Sequence, residues 1–280
     1  MISHEFPFDP SEQQLTNNGH APATWGLKTG DYGVRVGDLE NGAVGFISNA
    51  EHGQDALAMY GRNYAVADGL THTAYPATGF TAAYVADAAV TMDTFDHLFR
   101  YESGLDTIYG GLRAELKERF GVLTPRERGI PMVAATLACA SVVERVSENE
   151  TLVDIAVIGD SAIYRLNDGK VKKQWGGKGQ NYQNGTLAYM LGLYCNGGPI
   201  DPNIVERGAD LKPMVRELIR VGDDEILALA TDRFEGTQSF RDFLGLDADA
   251  FHAKLQQQVA DGEAWPDDGA LIFVKPGQLV

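Results

Sequence analysis

Residues 152–170 read LVDIAVIGDSAIYRLNDGK. Two apolar runs, Leu152 to Ile158 and Ala162 to Leu166, are separated only by Gly159-Asp160-Ser161, and the second leads into Asn167-Asp168-Gly169-Lys170. An Asp-Gly step beside an apolar run is a hairpin signal, because a tight turn of the hand that matches strand twist needs residues that accept positive φ. Similar runs lie on both sides. Upstream are Ala43 to Ile47 (AVGFI), Asn63 to Ala67 (NYAVA) and Val133 to Val143 (VAATLACASVV), the last expected as one long strand. Downstream are Glu225 to Thr231 (EILALAT) and Ala270 to Val274 (ALIFV). Several of them are apolar at consecutive positions, so their strands are expected to be covered on both faces.

Helical patterns sit between these runs. Leu105, Ile108, Tyr109, Leu112, Leu116 and Phe120 recur at three- and four-residue steps, and Gly121 follows as a stop. Phe80, Ala83, Tyr84 and Ala88 predict a helix from about Thr78 to Met92. Phe251, Leu255 and Val259 predict another over 248–260, with Asp247 as its N-cap. Two helices follow the second strand and a long series of strands follows them. That order argues for an α+β fold of stacked antiparallel sheets flanked by helices and against alternating βαβ units. Residues 1–22 are polar and carry few apolar anchors, so they read as a flexible or extended arm, and 23–280 reads as one domain.

Composition narrows the function. The chain has 280 residues with 23 Lys+Arg against 39 Asp+Glu, a net charge of −16. Such a surface repels phosphate backbones and anionic lipid, which counts against nucleic-acid and membrane partners. Apolar residues make up 44% of the chain, yet no run is long enough for a membrane span. Two cysteines cannot form a disulfide framework or a four-thiolate zinc site. MISHEFPFDP has no basic start followed by an apolar run, so a cytoplasmic location is expected.

The acidic residues are placed with more order than the rest. Asp68 ends NYAVAD, Asp160 follows DIAVIG, Asp232 follows LALAT, Asp267 and Asp268 precede GALIFV, and Asp55 lies in Gly53-Gln54-Asp55, in a segment before the second strand. A carboxylate at a strand mouth is exposed enough to ionise and fixed enough to aim. Several converging there repel one another and need cations. Oxygen ligands without a His or Cys cluster select hard Mg²⁺ or Mn²⁺ over zinc. Any single Asp-Gly after a strand is more simply a turn; the joint pattern carries the argument.

Gly53-Gln54-Asp55-Ala56, Val66-Ala67-Asp68-Gly69-Leu70, Ala135-Thr136-Leu137, Gly159-Asp160-Ser161-Ala162-Ile163-Tyr164, Ala230-Thr231-Asp232 and Asp267-Asp268-Gly269-Ala270-Leu271 occur in this order. In that order they resemble the signatures of the metal-dependent protein serine/threonine phosphatases of type 2C, over roughly residues 40–275. The resemblance implies a sandwich of two antiparallel sheets flanked by helices, with two Mg²⁺ or Mn²⁺ ions at one edge. Asp68 would bridge the ions, the carbonyl of Gly69 would help hold one, and Asp232 and Asp267 would complete the other. Asp55 would act through water on the metals, and Asp160 would help hold a looser third ion. The implied reaction is hydrolysis of phosphoserine or phosphothreonine by a metal-activated water, on a phosphoprotein substrate paired with a serine/threonine kinase. A variable flap is implied at about 172–213.

The chain departs from that pattern in places. Family members usually carry a phosphate-binding Arg where this chain has Ala50, some carry a metal-binding Glu at Gln54, and Arg233 stands where Gly is preferred. Arg233, His52 and His72 are therefore the candidate substrate contacts. The same departures leave a second reading, a regulatory pseudophosphatase that keeps the fold and metal site with little turnover. Cys139 and Arg145 have the C-x5-R spacing of a cysteine phosphatase loop, but an apolar strand rather than a glycine-rich turn lies between them, so Cys139 reads as a structural thiol. Gly176-Gly177-Lys178-Gly179 lacks the spacing of a phosphate loop.

Overall fold

A computed structural model of the protein describes residues 20–24, 33–48, 54–69, 77–91, 102–120, 133–177, 182–183, 186–187, 191–193, 199–200, 214–234, 240, 242–260 and 268–280. In chain order the main elements are β1 (His20–Thr24), β2 (Gly33–Asp38), β3 (Ala43–Ser48), β4 (Ala56–Tyr60), β5 (Asn63–Ala67), α1 (Ala77–Thr91), α2 (Glu102–Phe120), β6 (Val133–Ala135), β7 (Leu137–Ser147), β8 (Glu150–Ile158), β9 (Ala162–Asn167) and β10 (Lys170–Gly176). Four short strands follow: β11 (Tyr182–Gln183), β12 (Thr186–Leu187), β13 (Leu191–Leu193) and β14 (Pro199–Ile200). The chain closes with β15 (Met214–Gly222), β16 (Glu225–Ala230), α3 (Ala248–Ala260) and β17 (Gly269–Val274).

The strands form two six-stranded antiparallel sheets, in the orders β1-β4-β5-β7-β8-β15 and β10-β9-β16-β17-β3-β2. The expected class, two antiparallel sheets flanked by helices, is what the chain adopts. Strand β1 runs along β4 and spans the boundary expected at residue 22, while residues 1–19 of the arm lie outside the described residues. Much of the flap interval also lies outside them.

Alternation along the strands assigns the layers. In β4, Ala56 and Ala58 face the helices while Leu57 and Met59 face the other sheet. In β17, Ala270, Ile272 and Val274 face the first sheet while Leu271 and Phe273 face outward. The consecutive apolar residues of the sequence are thus one set for each covering layer. Helix α1 is rich in alanine and almost wholly buried, and Ala56, Ala58, Ala65, Ala67, Cys139 and Ala156 lie in the same core layer. Small side chains on both surfaces let helix and sheet approach closely. Thr81, buried within this helix, donates to the carbonyl of Ala77 at 2.7 Å, which satisfies its hydroxyl. Ile108, Tyr109, Leu112 and Leu116 give α2 its buried face, at the spacing expected.

On the other side of the molecule aromatic rings fill the layer under α3. Phe46 lies 4.8 Å from Phe251, and Phe243 lies 5.7 Å from Phe251, centroid to centroid. Asp247 caps α3 as expected, accepting from the Ala250 N–H at 2.7 Å. The Asp168-Gly169 turn has φ of 50° and 66°, and Asp168 is the only non-glycine with positive φ among the described residues. Burial of a hairpin loop does not hold it there; the two-residue turn geometry does.

The segment 133–143 departs from its expected form. It breaks at Thr136 into β6, which joins a small sheet with β13 and β14, and β7, which joins the first large sheet. Thr136 leaves the ladder because its N–H donates to the carbonyl of Asp68 at 2.8 Å. No helix among the described residues is long and apolar enough to cross a membrane.

Candidate active site

Register brings the acidic motifs to one end of the sandwich. Ala56 pairs with Ala67, so the segment before β4 and the segment after β5 lie together, with Asp55 on one and Asp68 on the other. Leu137 pairs with Ile158, which puts the Gly159-Asp160-Ser161 turn at the same end. In the second sheet Ala162 pairs with Ala230, and Ala230 with Leu271, so the end of β16 and the start of β17 meet there with Asp232 and Asp268.

Backbone contacts then tie the two sheets at this edge. The Gln54 N–H donates to the Asp268 carboxylate at 2.6 Å. The Gln54 carbonyl accepts from the Gly69 N–H at 3.2 Å. One residue therefore fixes both the start of β17 and the turn that carries Asp68. Gly69 has to be glycine: a Cβ there would come within 2.8 Å of the Gln54 carbonyl oxygen and 2.7 Å of Thr78 Cγ2 in α1. Thr231 joins β16 to β17 by accepting from the Ala270 N–H at 2.9 Å through its hydroxyl. Thr136 and Ser161, both fully buried, share a hydroxyl hydrogen bond of 2.6 Å.

Asp55 is the centre of the group. It is 1% exposed, and neither carboxylate oxygen has a hydrogen-bond partner. Burial pushes its pKa well above the ordinary carboxylate value. The nearby Thr231 hydroxyl pulls it down, the charges of Asp268 and Asp232 push it up again, and Asp68 pulls it down. Burial and like charge outweigh the two favourable neighbours, since the Thr231 hydroxyl donates to the Ala270 carbonyl at 3.3 Å. The side-chain amide of Gln54, also buried, has no partner at either polar atom.

These facts give a test of ion binding that needs no catalysis. A group whose folded pKa is raised contributes stability below its unfolded pKa, about 3.9 for Asp, and loses it as pH rises through the folded value. Metal-free wild type is therefore expected to lose stability between pH 4 and neutrality. Asp55→Asn should flatten that loss and be the more stable protein at pH 7 in chelator, because an amide is buried at less cost than an ionised carboxylate. Added Mn²⁺ should reverse the order. Denaturant midpoints for both proteins, with and without Mn²⁺, check this; parallel pH curves in chelator would refute it.

The other candidates fall as follows. Asp68, Asp232 and Arg233 are partly exposed at this end, and Asp160 is buried in its turn. Asp267, His52, His72 and Ala50 lie outside the described residues. Among the described residues no three His, Cys, Asp or Glu side chains are gathered tightly enough to hold one ion. Asp268, Gln54, Thr136, Ser161 and Thr231 belong to the site without having been candidates. Their signal in the sequence is only that each lies within one of the six ordered motifs.

Arg233 follows Asp232 in a single helical turn, Asp232–Phe234. A Cβ on Gly269 would run into Cδ of Arg233, so the arginine lies across the first residue of β17, next to Asp268. Its guanidinium carbon stands 5.9 Å from the centre of the Phe234 ring.

Cys139 and Arg145 do not meet as a phosphate loop. They are six residues apart on one strand, about 20 Å at the usual rise. The thiol is buried among the α1 layer, reaches the Ala156 carbonyl at 3.7 Å, and has a pKa pushed well up by burial and then by Asp154. Arg145 instead binds Asp223 and the carbonyl of Gly277 at the far end. Cys139→Ser is expected to leave any hydrolysis of a phosphate ester intact while costing about 1–2 kcal/mol for a hydroxyl in an apolar layer. Loss of turnover in a folded Cys139→Ser protein would revive thiol chemistry.

No protein-family model matches the chain, and no curated protein matches it by sequence. Solved structures do. PppA, described as a key regulatory component of T6SS in Pseudomonas aeruginosa, superposes with a TM-score of 0.52 at 15% identity, covering 87% of this chain and 97% of its own. The serine/threonine phosphatase PstP/Ppp of Mycobacterium tuberculosis gives a TM-score of 0.51 at 14% identity, again with 87% and 97% coverage. The fold is that of the type 2C phosphatases. Both neighbours are matched over nearly their whole length, so the likeness extends to the full α-β-β-α sandwich and is not confined to one sheet. At this identity it speaks for the type 2C architecture, and the chemistry has to be argued from the residues.

Proposed function

We propose that the protein is a divalent-metal-dependent phosphatase that removes phosphate from phosphoserine and phosphothreonine in proteins, in the cytoplasm and opposite a serine/threonine kinase. The observation that carries this reading is Asp55, enclosed with both oxygens unpartnered and pressed by Asp268 and Asp232. An ionised carboxylate in that position costs several kcal/mol unless a cation or a donor faces it. A donor set made only of oxygens fits Mg²⁺ or Mn²⁺. Asp68, the Gly69 carbonyl, Asp232 and Asp267 are the ligands assigned to two ions, with Asp160 available to a third. The ions supply an activated water and neutralise charge on the phosphoryl group.

The chain's own residues have separate tasks. Asp68 holds its place through its main chain, which the Thr136 N–H grips. Asp55, buried and without a hydrogen-bond partner, would act through water on the metals. Arg233, His52 and His72 are assigned to the substrate phosphate. The net charge of −16 leaves nucleic acid and anionic membrane as poor partners.

A regulatory pseudophosphatase is the second reading, favoured by Ala50 and Arg233, the departures from the family pattern around the substrate. Hydrolysis of a generic aryl phosphate and of phosphoserine and phosphothreonine peptides with Mn²⁺ separates the two. Turnover is the expected result. Mn²⁺ binding without turnover would establish the pseudophosphatase, and neither binding nor turnover would end both readings.

A further inference from the structure

We infer that Thr136 and Ser161 are positioning residues, a buried hydroxyl clamp that sets the turn carrying Asp160 against the backbone of Asp68 and so fixes the spacing of the two carboxylates. The inference rests on the metal-dependent reading above and deepens it.

Three observations carry it. The Thr136 N–H donates to the Asp68 carbonyl at 2.8 Å, and the neighbouring Ala135 bridges to Gly69, so Thr136 is tied to the Asp68-Gly69 turn. Its hydroxyl lies 2.6 Å from that of Ser161, with both side chains wholly buried. Ser161 follows Asp160 directly, and its carbonyl accepts from the Gly177 N–H at 3.1 Å, which anchors the turn on its other side. Gly176, at φ 75°, permits this approach, because a Cβ there would meet the Ser161 carbonyl oxygen at 2.5 Å.

The clamp interrupts a strand. Val133 to Ser147 would run as one ladder, yet Thr136 gives up its place to reach Asp68 and Ser161. Asp68 ends a strand of the first sheet, while Asp160 lies on the connection that crosses to the second.

Calorimetric titration of Mn²⁺ into the full chain, beside unfolding in chelator, tests this. Thr136→Val and Ser161→Ala are each expected to weaken Mn²⁺ binding about tenfold, while Thr136→Ser, which keeps the hydroxyl, should bind as wild type does. Each single variant also strands one buried hydroxyl, so stability will fall. The double variant Thr136→Val/Ser161→Ala removes both polar groups and should recover much of that stability. A clamp predicts that Mn²⁺ affinity stays low in the double variant; a purely structural pair predicts that affinity returns with stability. Wild-type affinity in the stable double variant, or equal loss in Thr136→Ser and Thr136→Val, would overturn the clamp alone. A wild-type protein that binds no Mn²⁺ would overturn the functional reading, and the clamp with it.

Discussion

Chelation is expected to abolish aryl phosphate hydrolysis, Mn²⁺ or Mg²⁺ to restore it, and Asp68→Asn to lower turnover at least ~100-fold even at saturating metal. The size of the effect follows from the place of Asp68. Its carbonyl is held by Thr136, the next residue is the Gly69 that only a glycine can be, and its carboxyl stands beside the unpartnered Asp55. An amide at Asp68 would keep the shape and the backbone contacts while removing a charge that two cations would share. The fold should therefore survive the substitution, which makes loss of turnover interpretable. Full activity in excess chelator, or an Asp68→Asn protein within a fewfold of wild type, would contradict metal-assisted hydrolysis.

The layers were legible in the sequence because burial on both faces writes itself as consecutive apolar residues, as in ALIFV, where alternate residues serve alternate layers. Two of the strands that escaped did so for physical reasons. Strand β4 is short and alanine-rich, since α1 packs closely on it. Strand β15 is an edge strand whose alternation is broken by charge: Ile219 and Val221 face the core, but Glu217 between Val215 and Ile219 turns to an ion pair with Lys173 at 2.9 Å. The acidic motifs could be seen as strand ends. Which members would meet could not, because that depends on register between strands far apart in the chain. Asp267 and Asp268 are equivalent as letters, yet Asp268 is the one whose carboxylate accepts from Gln54 across 214 residues of chain. The Thr136–Ser161 pair has the same origin: each is an ordinary hydroxyl until β7 and β8 pair.

Arg233→Ala is expected to lower kcat/KM ten- to a hundredfold, the loss of one charge-assisted interaction of about 1.5–3 kcal/mol. The expectation starts from the sequence resemblance: Ala50 stands where the type 2C phosphatases it resembles carry a phosphate-binding Arg, and a doubly charged phosphate among aspartates still needs a donor. A planar guanidinium suits phosphate oxygens better than an ammonium does. The bland alternative is a surface ion pair with Asp223, Asp224 or Glu235. Two of those partners are at the wrong end of the molecule. Asp223 and Asp224 turn between β15 and β16, about 20 Å along β16 from Arg233, where Asp223 is bound by Arg145 and Asp224 accepts from Asn167 at 2.9 Å. Arg233 instead crosses Gly269, the residue that follows Asp268. Binding of Mn²⁺ should change little in Arg233→Ala, because the clamp acts on substrate. Arg233→Gly, which supplies the residue preferred in the phosphatases the sequence resembles, separates the ideas further: it should lose activity as Arg233→Ala does if the guanidinium holds phosphate, and keep or gain activity if the arginine is merely accommodated. Unchanged kcat/KM in both variants would remove Arg233 from the site.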